Sequence, residues 1–128
     1  MSNWQTLEIA DKVREILRDM PLKQPHHFGN PYVSSYQLAI EFSKRYPEAT
    51  KVIGFPVGGE GSGAHNSLAQ YLAGQLSQHI HSGDVTDIEG AFLHSRYMTE
   101  LEFAWTGGAA RASAPGSAYD ISMFRLKG

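Results

Sequence analysis

The chain has 128 residues, 41% of them hydrophobic and 19% charged, with a formal net charge of −2 and a pI near 6.3. That size and balance suit one globular domain with its own core, and they exclude a disordered chain and a globally basic binder of nucleic acid or anionic membrane. Cysteine is absent, which removes disulfides, thiolate metal sites and a cysteine nucleophile.

Residues 4–19 carry a helical period, with Leu7, Ala10, Val13 and Leu17 on one face and Ile9 and Ile16 widening it, until Pro21 stops the pattern. The charges spread through MSNWQTLEIADKVREIL argue against a signal peptide, and no apolar run reaches the length that spans a bilayer, so a soluble, cytoplasmic protein is expected. The stretch KQPHHFGNPYV (23–33) is a connector broken by prolines and Gly29. Ser34 or Ser35 is the expected N-cap of a second helix, YQLAIEFSKRY (36–46), which puts Tyr36, Ala39, Ile40 and Ser43 on one stripe and ends at Pro47.

KVIGFPV (51–57) reads as a short strand that Pro56 confines to an edge. The glycine-rich residues 58–63 then lead into a third helix over 66–81, where Leu68, Leu72, Leu76 and Ile80 form a single ridge and Gly83 is the stop. VTDIEGAFLHS (85–95) is apolar but too short and glycine-broken for a helix. Leu101, Phe103 and Trp105 alternate with Glu100, Glu102 and Ala104 in the period of a half-buried strand. Residues 107–118 read as a mobile loop of small residues, and 119–127 as a closing strand.

Two stretches invite chemistry. The loop GFPVGGEGSGAHNS precedes a helix, as a phosphate cradle does, yet it lacks the lysine followed by Ser or Thr that a P-loop requires and carries Glu60 where an anion would sit. Six histidines are present, but His79 and His81 are two apart on a helix and point to different sides, so they chelate poorly. His26 and His27 instead suit packing of Phe28 and Tyr32 against the first helix. Asp84, Asp87 and Glu89 form a small acidic cluster with no partnering lysine motif, best read as a solvated turn. No nucleophile elbow occurs. These readings assign no catalytic residue, no metal and no cofactor, and favour a non-enzyme.

SSYQLAIEF, with its serine cap and small central Ala39, followed by HNSLAQYLAGQLSQHI, resembles the two helices of a helix-turn-helix. With a helix ahead and strands behind, the element order over about residues 5–106 is similar to a winged-helix domain, although the link between the second and third helices is far longer than the usual turn. The resemblance implies an α+β fold: a three-helix winged-helix-like core followed by a small antiparallel sheet, all in one domain spanning 1–128. It also implies DNA binding, with the third helix in the major groove, His65, Asn66, Ser67 and Gln70 toward base edges, and Lys44, Arg45 and Lys51 toward phosphates. So few cations would require a homodimer presenting two helices, or a larger partner. The third helix has no charged residue between Asn66 and Ile80, which fits a protein-interaction module (an adaptor or immunity-type protein) equally well. A nucleotide or phosphate binder acting through 58–63 is the third alternative.

Overall fold

The computed structural model describes residues 2–20, 23–57, 67–94, 96–98, 100–105, 108–113 and 121–127. The first expected helix is two: α1 (Asn3–Thr6) and α2 (Ile9–Arg18), separated at Glu8, whose backbone is left-handed at φ 51°. A continuous helix would align Trp4 with Asp11, seven residues on and exposed. The break turns Trp4 into the core instead, at the cost of one strained non-glycine residue. Lys12 Nζ donates to the carbonyl of Leu7 across this joint.

α3 (Ser35–Arg45) begins at Ser34 with a complete capping box. Ser34 Oγ accepts from the Gln37 N–H at 3.1 Å, and Gln37 Oε1 accepts from the Ser34 N–H at 2.8 Å. Pro47 does not merely end this helix. It is the first residue of α4 (Pro47–Ile53), so the strand expected over 51–57 is corrected to a helix over its first half. Proline's fixed φ and missing N–H suit that first position, and Gly54 closes the helix at φ 85°. Beyond it, the carbonyls of Pro56 and Val57 accept from the N–H groups of Leu68 and Ala69, satisfying two donors at the start of the next helix. That helix, α5 (Leu68–Ser82), is capped by Ser67 and stopped by left-handed Gly83, and Leu68, Leu72 and Leu76 are fully buried on one ridge.

Five strands are described: β1 (Val33–Ser34), β2 (Ile88–Leu93), β3 (Glu100–Trp105), β4 (Gly108–Ser113) and β5 (Ile121–Leu126). β1, β5 and β2 form one antiparallel sheet in that spatial order, with Val33 opposite Phe124, and Gly90 opposite Phe124 on the other side. The closing strand is therefore the central one. β3 and β4 form a separate antiparallel ribbon, with Phe103 opposite Ala110. This corrects the expectation of a loop over 107–118: residues 108–113 are a strand, recruited by pairing with β3 in spite of the poor strand propensity of Gly and Ala, while 114–118 lie outside the described residues. The proposed glycine loop, 58–63, lies outside them as well.

The fold is α+β. Its core joins Ile9, Val13 and Ile16 of α2, Leu38 and Phe42 of α3, the α5 ridge, and Ile88 and Phe124 of the sheet. The ribbon reaches α3 through stacking of Phe103 on Tyr36, with ring centroids 6.0 Å apart.

Candidate functional site

The residues expected to meet DNA divide into four groups. Lys44 and Arg45 stand at the end of α3, where both meet carboxylates: Lys44 Nζ lies 3.3 Å from Glu41 Oε1, Arg45 Nε lies 3.0 Å from Glu41 Oε2, and Arg45 Nη1 lies 2.8 Å from Asp19 Oδ2. Burial alone would raise the Glu41 carboxyl, but the hydrogen bonds and charges of Arg45 and Lys44 hold it below the ordinary carboxylate value. Burial likewise opposes the charge on Arg45, and Asp19 and Glu41 more than restore it. The Tyr46 hydroxyl extends the same joint by donating to Glu15 at 2.9 Å. These side chains tie α3 to α2.

Ser67 is buried, and its hydroxyl accepts from the Gln70 N–H at 3.1 Å, so it serves the start of α5. His65 and Asn66 lie outside the described residues. Lys51 on α4 and Gln70 on α5 are exposed. The outward positions of α5, among them Gln70, Gly74, Ser77, Gln78 and His81, are small or polar and carry no carboxylate or ammonium.

Asp84 and Asp87 are exposed in the turn that follows α5, as expected, and Glu89 lies on β2, but each carboxylate has its own partner. Asp84 meets His79 Nδ1 at 2.9 Å, Asp87 meets Arg14 at 2.8 Å, and Glu89 meets Arg125. The His79 ring is also stacked on Trp4, 4.1 Å between centroids and 7° from parallel, which explains how so short a helix as α1 is held. No group of three or more metal-capable side chains occurs among the described residues. His26 and His27 stack on each other and meet Phe28 edge-on, while Tyr32 lies under the Arg125 guanidinium.

A surface that the pattern of the sequence did not single out lies at β2. Among the described residues this strand pairs on one side only, with β5. It ends in Phe92 and Leu93, 59% and 40% exposed, and is followed by Tyr97, 99% exposed and left-handed at φ 65°. Next to Tyr97, the Arg96 N–H donates to His94 Nδ1 at 2.9 Å. In sequence, the available signal was the run AFLHSRY, apolar residues passing into polar ones without the alternation of a half-buried strand.

The chain matches no protein-family model, no curated protein and no solved structure.

Proposed function

We propose that this is a recognition module for another protein, contacted along the outer edge of β2 and through Phe92, Leu93 and Tyr97. The observation that carries the reading is the coincidence of a six-residue edge strand with three exposed large side chains at and just beyond its end. Such an edge offers main-chain hydrogen bonds to an extended segment, and flanking apolar and aromatic side chains supply the area that makes pairing selective. The reading requires no catalytic residue, metal or cofactor. It goes with a cytoplasmic setting, where a chain without cysteine has no disulfide to lose; no helix among the described residues is long and apolar enough to cross a membrane. The test is selection of a displayed random-peptide library on the protein. Extended segments with alternating apolar residues should be enriched, and a Phe92→Ser/Leu93→Lys double variant of unchanged thermal stability should lose them. Absence of enrichment, or equal capture by the variant, overturns the reading.

DNA binding of the winged-helix type is the second reading, supported by the exposure of Gln70 in the first turn of α5 and of Lys51 on α4. Its signature is fluorescence anisotropy against a randomised duplex pool at two salt concentrations. A site with so few cations available should show a shallow slope, about −0.9 per phosphate neutralised. No enrichment and no salt-sensitive binding at tens of micromolar (about the weak end of non-specific contacts) would remove it.

A further inference from the structure

We infer that the cleft between the 26–32 connector and Arg125 is a binding site for a planar aromatic ring bearing a carboxylate. The cleft has a volume of about 450 Å³ and is lined by His26, Phe28, Gly29, Asn30, Pro31, Tyr32 and Arg125. That volume falls in the range of small-ligand sites, roughly 300–1,000 Å³.

The walls are fixed before any ligand arrives. Arg125 Nη1 donates to the carbonyls of Phe28 at 2.8 Å and Asn30 at 3.0 Å, its Nε meets Glu89, and its guanidinium lies 4.3 Å over the Tyr32 ring. Two carbonyls flanking one residue reach the same nitrogen because Gly29 adopts φ 98°, and a Cβ there would already touch Nη1 at 3.4 Å. The Asn30 side-chain amide donates to the Leu126 carbonyl at 3.0 Å, pinning the connector to β5. A loop anchored at Phe28 and Asn30 in this way loses little entropy on binding.

The chemistry of the lining selects the ligand. Phenyl, phenol, imidazole and guanidinium groups are all planar, so a flat ring gains stacking or edge contacts that a puckered one does not. Phe28 is 74% exposed, leaving its ring available at the lip. The Phe28 N–H donates to His26 Nδ1 at 3.0 Å, so that nitrogen is the acceptor and the ring presents Nε2–H as a donor. Among the described residues of the lining Arg125 is the one charged side chain, and its Nη2 takes part in none of the bonds above; the Asn30 amide keeps a second N–H beside the one given to Leu126. A ligand that supplies acceptor oxygens complements this set, whereas an ammonium does not.

Aromatic carboxylates come either as free acids or as the C-terminal aromatic residue of a peptide. Benzoate and N-acetylphenylalanine represent the two sources, with benzylamine and cyclohexanecarboxylate as controls for charge and planarity. In ¹H–¹⁵N spectra of the full chain, at least one of the two aromatic acids should shift the amides of Phe28, Gly29, Asn30 and Arg125 saturably at or below about 10 mM, the weak limit of fragment binding; the tighter acid gives the source. Neither control should saturate over that range. Phe28→Ala, at an exposed position, should weaken binding about tenfold through loss of a ring–ring contact. His26→Asn keeps an acceptor for the Phe28 N–H while removing the Nε2–H donor, and should weaken binding several-fold. Absence of saturable shifts with both acids, equal shifts with cyclohexanecarboxylate, or indifference to both variants overturns the assignment.

Discussion

Arg45 of α3 and Asp19 at the end of α2 are joined across the helix–helix boundary, Nη1 to Oδ2 at 2.8 Å, while the same guanidinium holds Glu41 on its own helix. The basic pair that sequence alone offers to phosphate is thus engaged within the molecule, and its two members are engaged to different degrees. The Arg45 side chain is 26% exposed and the Lys44 side chain 53%.

That difference has a measurable consequence. Arg45→Ala removes two ion pairs and buried stem area, and should lower stability in urea titration by about 1 kcal/mol. Lys44→Ala should stay within about 0.5 kcal/mol of the parent. Equal, negligible effects would mean that the α2–α3 joint relies on apolar packing alone.

Three substitutions along α5 separate its buried, exposed and terminal positions. Leu72 is fully buried, and Leu72→Ala should cost about 2–5 kcal/mol. At Gly74 an added Cβ meets nothing within 4 Å, so Gly74→Ala should stabilise by about 0.5–1 kcal/mol through helix propensity. Gly83 has equally open space but φ 89°, and Gly83→Ala should destabilise by about 1 kcal/mol. Chemical denaturation of the three variants checks the ordering. Destabilisation by Gly74→Ala would show that this position needs its missing side chain.

Acid sensitivity follows from Asp87. Burial alone would raise its carboxyl, but the hydrogen bond from Arg14, its own backbone amide, and the charges of Arg14 and Lys127 hold it below the ordinary carboxylate value. A carboxyl depressed in the folded state contributes stability that is fully present above its unfolded value of about 4, and the contribution fades as pH falls through the folded value. Stability measured at pH 5 and pH 3 should therefore drop, and Asp87→Asn should narrow the gap between the two. The carboxyl is 49% exposed, so solvent screening keeps the change modest. An unchanged gap would place the acid sensitivity in Glu41 and its arginine instead.

Local signals were legible where one short stretch contains all the partners. Ser34 and Gln37 announce their capping box within four residues. The α5 ridge and the alternation of β3 are patterns of a single element. The failures come from distance. KVIGFPV looks like a strand until Pro47, upstream of it, supplies a helix start. The Gly- and Ala-rich 108–113 becomes a strand only because β3 lies beside it. Lys44 and Arg45 look free until Glu41 and Asp19 are placed in space, and Asp19 is 26 residues away. The β2 surface is visible only once β5 is known to be the strand that pairs with it among the described residues, on one side. The Arg125 cleft requires contacts spanning 95 to 97 residues, which no periodicity carries.

Because β5 lies between β1 and β2, neither outer strand has a partner in this sheet until the segment around Phe124 has left the ribosome. α2, α3 and α5 emerge earlier and can pack on one another, but Val33 and Ile88 must wait with open backbone groups on both flanks. The strand order therefore allows the helical half to pack before the sheet can close. During that interval both edges of β2 lack β5, which among the described residues of the finished protein covers one of them.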